Sequence, residues 1–317
     1  MNPDQLKHIF FPHTEKQTEA VKADGLRFAY YTTAATAYSI IRNNELWMRN
    51  TSTMNDYLEV AHGFDCLNAA IKSPEGVTLM AAIDELFPGL SQQAIGHFNG
   101  WLPHFRQDTY ITCVSEHLPH EDNNGRLSMW RAYGGSSGVA LVFKPDALFK
   151  PEDVGVYASP VAYWTPGQVQ QEMALIAGRV REHPALVGAA GSASIQNVLF
   201  NMFRFAVLCI KHPGFAEERE WRLITCPALE KSPLLQQTVE VVRGTPQLVQ
   251  HIRLKDVPEH GIHNLTLAAL LDRVVIGPCD YPDATYKAMI QLLKEAGFKE
   301  PSKLVHVSDI PLRVASA

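Results

Sequence analysis

The stretch Ala216 to Ile224, AEEREWRLI, packs Glu217, Glu218, Glu220, Arg219, Arg222 and Trp221 into nine residues. A carboxylate in a cleft can take a proton or steady a developing positive charge, and a neighbouring guanidinium can keep it ionised. Chemistry of that kind needs such residues on one face. On a strand, side chains two apart share a face, so Glu218, Glu220 and Arg222 point one way while Arg219, Trp221 and Leu223 point the other. Two readings follow. One is an edge strand whose charges keep neighbouring chains away. The other is a polar cleft in which Arg222 holds one carboxylate and leaves the second free to act.

His117, His120, Glu121 and Asp122 form the densest group of metal-capable side chains. Pro119 keeps them off a common helix face, and the segment EHLPHEDNNGR reads as a solvated loop, so no metal is expected. Met129, Trp130 and Tyr133 in MWRAYGG are either core packing or an aromatic wall. GGSSG, Gly134 to Gly138, reads as a turn. The chain lacks GxxxxGK[ST], a strand-linked GxGxxG, HExxH and GxSxG, so the phosphate-loop, dinucleotide, zincin and hydrolase-elbow chemistries have no motif here.

The elements that must position these residues are legible in outline. LRFAYY, Leu26 to Tyr31, is a strand, and TTAATAYSIIRNNELW is a helix capped by Thr32 or Thr33, with Ala37, Ile40 and Ile41 on its inner face. Asn55 and Asp56 follow in a loop whose side chains suit Asx-turns. Helices are expected from Leu58 to about Ile71 and from Val77 to Phe87. TYITCVS, Thr109 to Ser115, alternates as a central strand, LSMWRAYGG is a short helix, and SGVALVF is a strand buried on both faces. Residues 165–194 are helical, and a long helix, Ile195 to Lys211, delivers the chain to AEEREWRLI. QTVEVVR and LDRVVIG are further strands, followed by a helix from Asp283 to Ala296, capped by Asp283 and ended by Gly297.

Composition narrows the partners. With 317 residues, 46% hydrophobic and 19% charged, the chain can bury a full core, and one α+β domain spanning 1–317 with a helical insertion around 165–211 is expected. A net charge of -5 without a basic run excludes non-specific nucleic-acid binding. Cys66, Cys113, Cys209, Cys226 and Cys279 are odd in number and never in a CxxC pair, which points to reduced thiols in the cytoplasm. The longest apolar stretch is broken by Asn201 and Arg204, and no leader or membrane span is expected.

Taken in order, FAYYTTAATAYSIIRNNELWMRNTSTMNDYLE, TCVSE, LSMWRAYGGSSGVALVF, KHPGFAEEREWRL and VVIGP resemble the bacterial family known as domain of unknown function 2971. That family's layout is similar to the ADP-ribosyltransferase fold, in which small mixed or antiparallel sheets form a cleft surrounded by helices. The resemblance implies NAD as cosubstrate and an unknown macromolecular or small-molecule acceptor. It places Tyr30, Tyr31 and Thr32 at the first-strand position, Ser115 at the second, and Glu218 with Glu220 at the third. Glu220 would steady the oxocarbenium-like ribose, Glu218 would be the general base, and Ser115 would hold the glutamate or a ribose hydroxyl. Asn55, Asp56, Trp130, Tyr133 and Arg222 would surround the cofactor, with Tyr31 or Tyr133 stacked on nicotinamide. The family pattern has His where this chain has Tyr30. Two rivals stand beside this reading: a non-catalytic nucleotide- or protein-binding module of the same fold, and a metal-assisted hydrolase built on the His117 to Asp122 loop.

Overall fold

Thr33 closes the first strand and opens the helix that covers it. Its hydroxyl accepts the Thr36 N–H, satisfying an orphan donor of helix Ala34–Asn43. The helix, expected to run to Trp47, stops because Asn44 takes the left-handed conformation with φ 55°. The following residues, Glu45–Asn50, become a strand instead. A computed structural model describes residues 3–53, 58–145, 155–242 and 244–312.

Strands β1 to β5 are Arg27–Thr33, Glu45–Asn50, Tyr110–His117, Ser137–Phe143 and Tyr157–Pro160. Ala162–Tyr163 and Ile210–Lys211 are the two-residue strands β6 and β7, and Glu220–Thr225, Leu235–Val242, Thr245–Arg253, Leu271–Cys279 and Val305–Val307 are β8 to β12. Ten strands form a mixed sheet in the order β12-β11-β4-β1-β3-β2-β10-β9, with β8 paired to β3 and β5, while β6 and β7 make a separate parallel ladder. The chain is thus a mixed α/β fold, with one large sheet among the described residues where small sheets were expected. The described residues divide into two compact units, one of Met1–Ala20, Thr51–Thr109 and Ser159–Ala216, the other of Val21–Asn50, Tyr110–Ala158 and Glu217–Ala317. The helical stretch around 165–211 lies in the first of these, with the helices of 58–107.

In the sheet-bearing unit, β3 is the axis. One edge pairs with β8 over Tyr110 to Ser115; the other gives Ser115 to His117 to β1 and only Tyr110 and Ile111 to β2. So β1 and β2 part from each other along β3. One sheet face carries the main apolar cluster, with Phe28, Leu141, Val114, Trp221 and Val274, under helices Ala34–Asn43 and Pro282–Glu295. The latter begins one residue before the expected cap, because Pro282 fits the first helical turn and Asp283 then sits within it. Its other end is as expected, with Gly297 at φ 90°. The opposite face carries a smaller cluster of Ala29, Tyr31, Met129, Trp130, Ala140, Val142 and Val275.

The helical unit is built on Leu58–Ile71, Pro74–Leu86, Leu90–Gly100, Pro166–Glu182 and Ser192–Cys209. Phe98 sits 5.4 Å from Phe105 and 5.6 Å from Phe203, ring centre to ring centre. Helix Leu58–Ile71 meets Ser192–Cys209 closely enough that a Cβ on Gly63 would lie 2.3 Å from the Val207 carbonyl oxygen. No described helix is long and apolar enough to cross a membrane.

Gly63 and Gly96 make a matched pair of tests. A Cβ on Gly96, in helix Leu90–Gly100, meets nothing within 4 Å. Gly96→Ala should stabilise by ~0.5–1 kcal/mol through helix propensity. Gly63→Ala gains the same propensity, but the helices must separate, a cost of roughly 1–3 kcal/mol that reverses the sign. Thermal unfolding of the two variants should move in opposite directions.

Candidate functional site

The register of three neighbouring strands makes a row. Ala29 of β1 lies opposite Ser115 of β3, and Ser115 lies opposite Glu220 of β8. Directly paired residues share a face, so Ser115, Glu220 and, two residues on from Ala29, Tyr31 project to the side of the smaller cluster. Arg222 follows Glu220 on that face, opposite Cys113. Its Nε donates to Glu220 Oε1 at 2.8 Å, and its Nη2 approaches Glu220 Oε2 at 3.5 Å. Both residues are buried. The guanidinium therefore faces both carboxylate oxygens.

β8 is buried at every position and paired on both edges, so it is not the solvent-facing edge strand that its charges allow. Glu218 and Glu220 do not alternate along one strand as expected, because the strand starts at Glu220 and Glu218 ends a 3-10 turn, Pro213–Glu218. Arg219 between them has φ 44°, a left-handed conformation costly for a residue with a Cβ. Glu116 N–H donates to the Arg219 carbonyl at 2.9 Å and fixes that turn. The Glu218 carbonyl accepts from Ser115 Oγ, and its carboxylate accepts from the Tyr133 hydroxyl at 3.0 Å. Ser115 is thus occupied in holding the turn, while Tyr133 is 41% exposed and offers the accessible aromatic ring beside Glu218.

What holds this arrangement is a residue the sequence reading does not single out. Arg126 Nε donates to Glu121 at 3.0 Å, Nη1 to Ser115 Oγ at 3.1 Å and to the Glu217 carbonyl, and Nη2 to the Glu116 carbonyl at 2.7 Å. Its backbone N–H donates to the Tyr31 hydroxyl at 2.9 Å. Glu121 also pairs with Arg219 and accepts the Leu118 N–H. The segment expected as a solvated loop therefore contains a buried carboxylate and a buried guanidinium. The signal was present as acidic residues and an arginine directly after a strand buried on both sides, but composition alone made it look like surface.

Burial works against the Glu121 carboxylate, but Arg126, the Leu118 N–H and Arg219 outweigh it and hold its pKa below the usual value. Asp122 is likewise held low against its burial, by Arg27 first and then by Arg273 and His117. His117 is pushed down by burial, with Glu121 opposing. The acidic groups of the loop are committed to arginines, and among the described residues no group of histidine, cysteine and carboxylate side chains is placed to hold a metal ion.

The remaining expected residues separate. Tyr30 and Thr32 lie on the opposite face from Tyr31; Tyr30 packs against the main cluster and bonds Thr112, and burial raises its phenol pKa. The position where the family pattern has His thus turns away from the row. Tyr31 stays on it, edge-on to Trp130 at 4.8 Å, with burial and the nearby Glu121 pushing its phenol up to about 12. It accepts from Arg126, and its own hydroxyl hydrogen has no acceptor among the described residues. Trp130 is enclosed by backbone: a Cβ on Gly125 or Gly277 would fall 2.5 or 2.7 Å from its ring. Its indole N–H donates to the Asn124 carbonyl at 2.8 Å. Asn55 and Asp56 lie outside the described residues.

Residues 129–223 match the family model described as Protein of unknown function (DUF2971), in support of the family resemblance carried by the motifs. The match runs from Met129 to Leu223 and takes in Trp130, Tyr133, Glu218, Glu220 and Arg222, less than a third of the chain. No curated protein and no solved structure matches the chain.

The charge network sets a pH dependence. Depressed carboxylates contribute stability that is complete above the ordinary carboxylate pKa of about 4 and is lost as pH falls through their folded values. His117, also depressed, resists a proton that the unfolded chain accepts below about 6.5, so it too destabilises the fold on acidification. The urea midpoint should be level near pH 7, fall below about pH 6.5 and fall further toward pH 4. Glu121→Gln leaves Arg126 short of a partner and should cost roughly 3 kcal/mol at pH 7, with a shallower decline near pH 4.

Proposed function

We propose that the sheet-bearing unit is an ADP-ribosyltransferase-like domain that cleaves the nicotinamide-ribose bond of NAD and passes ADP-ribose to an acceptor nucleophile. The observation that supports this best is the row from β1 through Ser115 to Glu220, which puts Tyr31, Ser115 and Glu220 on one face of three adjacent strands. This is the layout that the family resemblance calls for, with one revision: Tyr31, not Tyr30, supplies the first-strand group.

In this reading the Tyr31 hydroxyl, fixed by Arg126 and free to donate, binds a ribose hydroxyl. Arg222 keeps Glu220 ionised in a buried setting, and Glu220 accepts from the ribose 2′-hydroxyl and faces the anomeric carbon. As the C1′–N bond breaks, its electron pair leaves with nicotinamide, which departs neutral, and the positive charge develops on the ribose. The acceptor then bonds to C1′ and gives its proton to Glu218, whose carboxylate is steadied by Tyr133. Ser115 positions the Glu218 turn rather than touching NAD. Tyr133 offers its exposed ring to nicotinamide.

A second reading draws on the Glu220–Arg222 pair itself. A carboxylate whose two oxygens both face a guanidinium suits a non-catalytic module that binds a nucleotide on the same face of the sheet.

Nicotinamide release from NAD, with and without lysate as a source of acceptors, separates the two. Wild type should release nicotinamide, and Glu220→Gln should lower the rate by roughly 100-fold or more, the scale of losing one transition-state electrostatic partner. Glu218→Gln, at a half-buried position, should lower transfer to acceptor more than hydrolysis, and circular dichroism establishes that both variants are folded. NAD binding without release would establish the binding module. Absence of both binding and release in folded protein would sink both readings.

A further inference from the structure

The helical unit contains a pocket that the NAD reading does not use. It is walled by Phe10, Phe11, Met173, Ile176 and Phe203, and its volume is about 90 Å³. On the same measure a water takes ~10–15 Å³ and an apolar cavity of ~150 Å³ accepts benzene, so nothing larger than a single ring enters, and a ring does so only with its polar end in the mouth of the pocket. A pocket lined this way is dry by preference and rejects a full charge.

Three further residues, His13, Trp164 and Glu172, belong both to this pocket and to a wider polar depression lined by His8, Glu15, Lys16 and Arg179. They form the seam between an apolar interior and a charged mouth. His13 is fixed in place: its backbone N–H donates to Glu172 at 3.0 Å, and its ring stands edge-on to Trp164 at 4.7 Å. Burial, and after it Lys16, pull its imidazole pKa down to about 4, so the ring is neutral near pH 7; a hydrogen bond to the Val161 backbone opposes this only in part. Nε2 is buried and has no hydrogen-bond partner among the described residues. With the ring's one proton engaged by the Val161 backbone, Nε2 is left as a lone-pair acceptor. A buried polar atom without a partner is costly, and on a residue that lines a pocket it is satisfied by a donor bound there.

We propose that this pocket is a small-molecule site for a neutral, single-ring aromatic compound bearing one hydroxyl or N–H donor, with the ring among the phenylalanine and methionine side chains and the donor on His13 Nε2. The site is independent of NAD cleavage and lies wholly within the helical unit.

Phenol, toluene and benzoate are the probes, titrated calorimetrically into the intact chain at pH 7. Phenol should bind saturably at one per chain, toluene more weakly for want of the hydrogen bond, and benzoate not at all. His13→Phe keeps an aromatic ring and removes the acceptor. It should weaken phenol roughly threefold to tenfold, the worth of one hydrogen bond, and leave toluene unchanged. Ile176→Trp should fill the pocket and abolish binding of both. Circular dichroism establishes that each variant is folded. Absence of saturable phenol binding by wild type overturns the proposal. So does phenol affinity that neither substitution changes.

Discussion

The Arg126 guanidinium is the constraint on which the site depends. It lies among Glu121, Ser115 and the carbonyls of Glu116 and Glu217, so it ties the end of β3 to the turn that precedes β8. Its backbone N–H holds Tyr31 of β1. Three strands are thus fixed in relative position by one residue. Guanidinium suits this place because its donors lie in a rigid plane and it does not lose its charge. Removing it would leave Glu121 with Arg219 and the Leu118 N–H and would take a donor from the Glu116 and Glu217 carbonyls, so the cost would exceed that of one lost ion pair.

Strands and helices with a strong period were legible in the sequence. β3 follows from alternation and β4 from an unbroken apolar run, and β1 and the helices Leu58–Ile71 and Ser192–Cys209 lie close to where they were expected. Glu45–Asn50 was not, because Asn44 ends the preceding helix by its own backbone conformation and no Gly or Pro marks the spot. The strand Thr245–Arg253 was hidden for a different reason: Pro246 and five polar residues break up its apolar positions, and it is buried only from Val249 to Ile252. Local pattern carries no information about a turn decided by a single dihedral.

At the site, the charge count of AEEREWRLI was a sound signal and its periodicity a misleading one. Alternation assumes an unbroken strand, and Arg219 breaks it with a positive φ that nothing in its side chain announces. The compensation comes from the Glu116 N–H and the Glu121 carboxylate, both remote in sequence. The same remoteness concealed the loop from His117 to Arg126. Its residue types are those of a solvated segment, and only the arginines brought by β1, by the turn before β8 and by β11 make it a buried one.

The Glu220–Arg222 pair carries the remaining tension. Ion pairs of this kind add little net stability, since desolvation offsets most of the attraction, and a well-packed apolar pair would serve a purely structural strand as well. Trp221 and Leu223, on the other face of β8, show that the strand can be filled with ordinary apolar packing. The charges are therefore confined to the face that also carries Ser115 and Tyr31, and the strand follows a turn held in a strained conformation. A strand that needed only to pack would require neither the buried charge nor the strain. Both are accounted for if this face meets a ligand whose own charge changes, as a dinucleotide does when it loses a cationic ring.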